Sequence, residues 1–376
     1  MIRVLQIVCA LNDGGIERLL YNYYRYFDTN EIVFDFAVND DTDSHLKKYF
    51  FDRGSKIYKY TQIRKNPYKA YEDLKAIIEN NSYDVIHSHL ADRAFPVLKY
   101  AKDKGINVII SHGHSANYEE NFISKYLRCV STKLTKKYST DLFACGIDAA
   151  KWTWGEKSFF EKKVFIMRNA IEVDRFAFSE TRREKTRKKL GIDGKQMLLC
   201  VGRLSVQKNQ LFLIDLFEKI YQKNRSAVLV LAGDGELRNK IEERVIEKGL
   251  SQAVQILGVR TDIEDLLCAA DCYILPSIYE GLPISVIEAC CSGLGCILSK
   301  NITNEVKLGD SVVYCSLDND SDWIMAIDKC IENSKNIKNR YNGVNIVRSN
   351  GYDIKIEALN IEKKYFDLNG GENVVK

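Results

Sequence analysis

Glu280 and Glu288 stand with seven residues between them in Pro276-Ser-Ile-Tyr-Glu280-Gly-Leu-Pro-Ile-Ser-Val-Ile-Glu288-Ala-Cys, directly after a strand-like apolar run. Gly281 and Pro283 mark a turn, and Pro283 suits the first position of a helix, where a missing N–H costs nothing. Such a helix aims free amides and the positive end of its dipole at whatever lies above the strand. One acid then sits on the approach loop, the other about a turn and a half into the helix. Acids and amides so arranged suit a ligand with a diphosphate at one end and hydroxyls at the other, as in a nucleotide-sugar.

Other residues at strand ends carry related chemistry. Val201-Gly202 closes an apolar run, and Arg203 and Lys208 follow, five positions apart. Two fixed cations there can stabilise charge developing on a leaving diphosphate without a metal. Gly14-Gly15 follows the first apolar run, where glycines let the backbone approach a phosphate or sugar oxygen. Asn12-Asp13-Gly14 also reads as a plain turn, and it is no Gly-x-Gly-x-x-Gly, which counts against a nicotinamide cofactor. Four of the five histidines fall at two strand ends, His87 with His89 and His112 with His114. Paired His-x-His can ligate zinc, but no cysteine or carboxylate pattern accompanies these. Asp41-Thr-Asp43 and Asp318-Asn-Asp320 read as solvated turns. No metal site and no cofactor are expected.

The elements that position these residues alternate. Strands are predicted near 2–9, 33–38, 56–60, 84–87, 106–111, 141–145 and 163–167, then near 196–202, 227–232, 254–257, 271–275, 295–299 and 312–314. Helical patterns lie between them, for example over 16–27, 67–80 and 91–104. Such alternation implies α/β architecture with parallel sheets and right-handed crossovers. The glutamate, Arg-Lys, glycine and histidine motifs each fall at the C-terminal end of a strand, the edge at which open α/β sheets bind ligands.

The Glu-x7-Glu segment, with Gly14-Gly15, His112-Gly-His114, Val201-Gly-Arg203-Leu-Ser-Val-Gln-Lys208-Asn, Ala232-Gly-Asp-Gly235 and Leu257-Gly258-Val-Arg260, resembles the retaining glycosyltransferases of family 4 over nearly the whole chain. The resemblance implies the GT-B fold, two doubly wound Rossmann-like domains facing across a cleft, with a C-terminal helix crossing back to the first. It implies a domain over 1–172 on the acceptor side, a linker over 173–193, a donor-nucleotide domain over 194–350, and a helix and frayed tail over 351–376. It assigns Arg203 and Lys208 to the donor diphosphate, Glu288 to the two ribose hydroxyls, and Glu280 to the transferred sugar. Gly14, Gly15, Gly258, Val259, Gly281, Leu282, Pro283 and Ile284 join the donor site. His114, with His112 the alternative, faces the reacting sugar or positions the acceptor, and Asn169 belongs to the cleft. Ala144–Gly155 and Thr303–Val306 narrow the resemblance to bacterial enzymes that build capsular or exopolysaccharide repeat units on a lipid carrier.

Composition agrees with a two-domain enzyme. The chain has 376 residues, more than one core usually supports. It is 45% hydrophobic and 28% charged, an ordinary globular balance. No apolar run approaches the ~20 residues of a membrane span, and a cytoplasmic location is expected. The eleven cysteines have no Cys-x-x-Cys pattern and read as reduced. Net charge is +4, with the basic excess sharpest at Lys125, Arg128, Lys133, Lys136 and Lys137. That segment is either a solvated helix face or a patch resting on anionic membrane; no motif supports nucleic acid. The expected reaction moves a hexose or N-acetylhexosamine from a UDP-sugar to a lipid-linked glycan. A UDP-sugar epimerase of the same fold and a non-catalytic sugar-nucleotide-binding subunit are the alternatives.

Overall fold

The computed structural model describes residues 1–12, 14–40, 42–114, 122–161 and 163–370. Two compact units divide the chain, Met1–Ala170 with Ile354–Lys376, and Ile171–Asp353. The expected frayed tail from 371 onward lies outside the described residues.

The first unit is built on seven parallel strands: β1 Ile2–Ile7, β2 Ile32–Val38, β3 Ile57–Lys59, β4 Val85–Ser88, β5 Val108–Gly113, β6 Asp141–Ala144 and β7 Val164–Ile166. They run in the order β3-β2-β1-β4-β5-β6-β7. Helices cover both faces of such a sheet, so its strands read as continuous apolar runs. The polar exceptions are paired. Asp35, fully buried on β2, accepts from Arg3 Nε at 2.8 Å and from the Lys56 amide at 2.8 Å. The helix Ile354–Leu368 belongs to this unit, and its Ile354, Ala358, Ile361 and Tyr365 enter the core around β1, β2 and β5.

The second unit has six parallel strands: β8 Gln196–Val201, β9 Ala227–Ala232, β10 Val254–Ile256, β11 Cys272–Leu275, β12 Cys296–Ser299 and β13 Val312–Cys315. Their order is β10-β9-β8-β11-β12-β13. Both sheets thus wind outward from a central pair in the Rossmann order, with a switch point between β1 and β4 in one and between β8 and β11 in the other.

Residues 173–193 are not a linker. Val173–Phe176 and Glu180–Leu190 are helices of the second unit, and Val173, Phe176, Phe178 and Ile192 are buried. The charged run over 182–189 within this segment contains two clamps. Arg183 Nη1 donates to the carbonyls of Ala269 and Ala270, both at 2.9 Å, and Arg187 Nη1 donates to Ala269 at 2.8 Å. Both guanidiniums also pair with Asp271. They neutralise the open carbonyl end of helix Ile263–Ala269, where cations are favoured.

Candidate functional site

At the second unit's switch point, the loops leaving β8 and β11 are zipped together. The Ile278 amide donates to the Gln207 carbonyl at 2.8 Å, and Asn209 Nδ2 to the Pro276 carbonyl at 3.3 Å. Asn209 adopts φ 57°, the left-handed conformation that asparagine tolerates, at the start of helix Gln210–Lys223. Gln210 holds the loop from beneath, donating to the Arg203 carbonyl at 2.8 Å. Tyr273 on β11 donates to Ser285 Oγ at 2.7 Å, fixing the first turn of helix Ile284–Cys291. Pro283 caps that helix one position before its first residue, not at the first helical position as expected.

This scaffold brings Lys208 and Glu280 into direct contact. Lys208 Nζ lies 2.6 Å from Glu280 Oε1, with the side chains 17% and 8% exposed. Ser277 Oγ donates to the same oxygen at 2.7 Å, and Gln207 Nε2 reaches Oε2 at 3.4 Å. The pair is dry and oriented, so its charges act through a lower dielectric than surface charges do. Arg203 is placed differently. Its guanidinium is largely exposed and pairs with the exposed Glu236 at 3.1 Å, a contact weak enough to be exchanged for an anion. Glu288, the fifth residue of its helix, is half-buried between the buried Ile287 and Ala289.

The glycines of Ala232-Gly-Asp-Gly235 have a packing reason. Gly233 has φ 147°, and a Cβ there would sit 2.0 Å from the Gly202 carbonyl oxygen. At Gly235 a Cβ would meet the Leu204 carbonyl oxygen at 2.4 Å. The loop carrying Arg203 therefore rests backbone-to-backbone on the loop after β9. Gly258 (φ 69°) accepts from the Gly233 amide at 2.8 Å, which places exposed Val259 at this same edge.

The histidines form a second constellation, at the edge of the first unit's sheet. In register, Gln6 lies beside His87, and His87 beside Ile110. Side chains two positions apart share a face, so Gln6, His87, His89, His112 and His114 all fall on one face. Gln6, His87, His89 and His112 are buried and His114 half-buried. Contacts run from Gln6 Oε1 to His89 Nε2 at 2.8 Å, and from His89 Nδ1 to His114 Nε2 at 2.7 Å. Tyr365 Oη touches His87 Nδ1 at 2.6 Å, and His87 Nε2 meets His112 Nδ1 at 3.2 Å. Burial holds all four rings neutral: His87 and His114 are lowered to about 3, His89 and His112 well below the usual value.

Nitrogens of His87, His89 and His112 lie within 4.8 Å of one another, yet the rings are poorly arranged for a metal. His87 and His89 stack with centroids 4.4 Å apart and planes 17° from parallel. Imidazole lone pairs lie in the ring plane, so face-stacked rings do not converge on one ion. The cluster is a hydrogen-bond network.

The remaining expected residues are spread out. Gly14 and Gly15 link β1 to helix Gly15–Tyr24, with Gly14 as its N-cap. Asn169 is half-buried near the end of the first unit's main segment. Of the five basic residues, Lys125, Lys133 and Lys137 are exposed on helix Phe122–Tyr138 beside exposed Tyr126, Leu127 and Val130. Arg128 lies 4.5 Å over the Trp152 ring, and Lys136 donates to Ser158 Oγ at 2.8 Å. Asp41 lies outside the described residues, and Asp320 pairs with Lys219 at 2.6 Å. Ser277, Gln207, Gln6 and Tyr365 were not singled out from sequence. Glu17 was also missed: it is 6% exposed beside Gly14, and burial raises its carboxyl.

Two Rossmann-like units, one with a charged, amide-bearing strand edge at its switch point, make the architecture of the GT-B glycosyltransferases. Anabaena HepE in complex with UDP shares the fold, with a TM-score of 0.79 over 98% of this chain and 100% of that one at 17% identity. Residues 182–343 match the family model of glycosyl transferases group 1. EpsF of Bacillus subtilis (strain 168), named as a glycosyltransferase, is 29% identical over 316 residues, 83% of this chain and 82% of that protein. The Escherichia coli UDP-Gal:alpha-D-GlcNAc-diphosphoundecaprenol alpha-1,3-galactosyltransferase is 26% identical over 299 residues, 74% of this chain and 76% of its own length. The chain is a glycosyltransferase.

Proposed function

We propose that this glycosyltransferase is a retaining, metal-independent enzyme of family 4. It moves a hexose or N-acetylhexosamine from a UDP-sugar to a lipid-linked glycan in the building of a capsule or exopolysaccharide. The observation that carries this reading is the Lys208–Glu280 pair at the β8–β11 switch point, flanked by Arg203 and Glu288. UDP bound to HepE and the diphosphoundecaprenol acceptor in the name of the Escherichia coli relative support the donor and acceptor classes.

In this mechanism Glu288 accepts the two ribose hydroxyls, and the amides of 281–284 receive the phosphates and sugar hydroxyls at the helix start. Gly258 and Val259 contribute backbone around the donor. Lys208 meets the diphosphate while its contact with Glu280 keeps it fixed. Arg203 leaves Glu236 for the same oxygens. Together the two cations compensate the charge of the leaving UDP, the task a divalent ion performs in other transferases. Glu280 orients Lys208 and meets the sugar; with Oε1 already engaged by Lys208 and Ser277, it is poorly suited to attack carbon. A front-face reaction, in which the leaving phosphate assists removal of the acceptor proton, then accounts for retention. His114, or His112, binds a hydroxyl of sugar or acceptor.

The test combines donor, lipid-linked acceptor and excess EDTA. Expected are an α-linked product from an α-linked donor and UDP release only when acceptor is present. An inverted product, loss of turnover with EDTA, or epimerised donor without acceptor would contradict the reading.

A further inference from the structure

We infer that Gln6 and Tyr365 are positioning residues that set the tautomers of the histidine cluster, leaving His114 with a bare Nδ1 and His112 with an Nε2–H. Each hydrogen bond in the network has one donor and one acceptor, so a single amide fixes the rest. Gln6 Oε1 can only accept; His89 Nε2 therefore carries the proton, and its Nδ1 is an acceptor. His114 must donate from Nε2 to that acceptor, so its Nδ1 keeps a lone pair. On the other side, Gln6 Nε2 donates to Tyr365 Oη at 3.3 Å. The phenol then gives its own proton to His87 Nδ1, and 2.6 Å is the length of a good O–H···N bond. His87 Nε2 donates to His112 Nδ1, and the His112 proton is left on Nε2, a buried atom with no partner in the structure.

Burying an N–H without a partner costs free energy, so a hydroxyl that accepts from this atom would complete the network. The two arms end oppositely, one in a lone pair on His114 and one in an N–H on His112, in rings stacked with centroids 4.0 Å apart. A donor and an acceptor on neighbouring stacked rings match a hydroxyl, which is both. Resting on the proposed function, we assign that hydroxyl to the transferred sugar or the acceptor glycan. Tyr365 comes from the helix Ile354–Leu368 and not from the strands that carry the histidines; the C-terminal helix thus has a role in the chemistry as well as in the core.

The test uses full-length protein with ¹⁵N-labelled histidine, whose long-range proton–nitrogen NMR correlations report which ring nitrogen is protonated. Expected are Nε2–H at His87, His89, His112 and His114. Nδ1–H at His112 or His114, the result of a reversed Gln6 amide, would overturn the assignment. Tyr365→Phe keeps the ring against Phe27 and Phe34 and removes only the proton donor. It is expected to release the His87–His112 arm into mixed tautomers, leave the His89–His114 arm unchanged, and lower kcat about tenfold with donor KM preserved. Gln6→Leu is expected to loosen both arms. Native tautomers and native kcat in folded Tyr365→Phe would also overturn it. A wild-type chain that transfers no sugar would fail the proposed function, whereas the NMR readings would still decide the tautomers.

Discussion

At the scale of single residues, the ion pair between Lys208 and Glu280 links stability to activity. Both side chains are mostly buried, so removing one partner leaves the other charge without compensation. Lys208→Met or Glu280→Leu alone is expected to cost about 3–5 kcal/mol and to slow transfer about 10²–10³-fold. The double variant Lys208→Met/Glu280→Leu is expected to regain most of the stability in urea titrations and none of the turnover. If the double variant were as unstable as the singles, the pair would not be the coupled unit described. The four histidines give a second residue-scale prediction. Their folded-state values lie below the ordinary 6.5 because burial penalises the charged rings. An unfolded chain therefore takes up protons that the folded chain refuses. Stability is complete above about pH 6.5 and declines below it, toward about 3 for His87 and His114, with a slope of up to about 1.4 kcal/mol per pH unit for each ring. Urea midpoints at pH 7.5, 6.5 and 5.5 would show the decline above the carboxylate range; a flat profile there would contradict neutral buried rings.

Among elements, the strands were the most legible part of the sequence. Parallel strands buried on both faces leave continuous apolar runs, as in Ala227–Ala232 and Cys272–Leu275, and the loop motifs stand where those runs end. Long-range pairing was not legible. The partners of Arg3 and Gln6 carry no local signal, because Asp35, His89 and Tyr365 lie far along the chain. Helix Glu180–Leu190 read as a linker because a guanidinium that clamps carbonyls looks, in sequence, like one that faces water. The period-two spacing of His87 with His89 and of His112 with His114 was visible, but their convergence required the register of β4 and β5. The helix Phe122–Tyr138 keeps both of its readings, solvated face and membrane patch. Exposed Tyr126, Leu127 and Val130 beside Lys125, Lys133 and Lys137 favour the membrane. Co-sedimentation with vesicles containing anionic lipid is expected, weakened by Tyr126→Ser/Leu127→Ser and by high salt. No binding to anionic vesicles would leave the helix a solvated face, and equal binding to neutral ones would remove the role of its charges.

For the whole molecule, both units repeat one winding order, so each has one switch point. In the first unit it carries uncharged, hydrogen-bonding histidines, and in the second fixed charges and a helix start. That division matches the proposed tasks, hydroxyl recognition in one unit and diphosphate recognition in the other. Among the described residues no helix is long and apolar enough to cross a membrane. The central claim is that a UDP-sugar is held at the β8–β11 edge with Glu288 on the ribose. Calorimetric titration of UDP into the full-length chain in EDTA, beside Glu288→Ala, tests it most directly. Expected are binding by the wild type without metal and an affinity loss of about 10–100-fold in the variant, the scale of hydrogen bonds to a charged group. Equal affinity in the two proteins, or wild-type binding that appears only when a divalent ion is added, would contradict it.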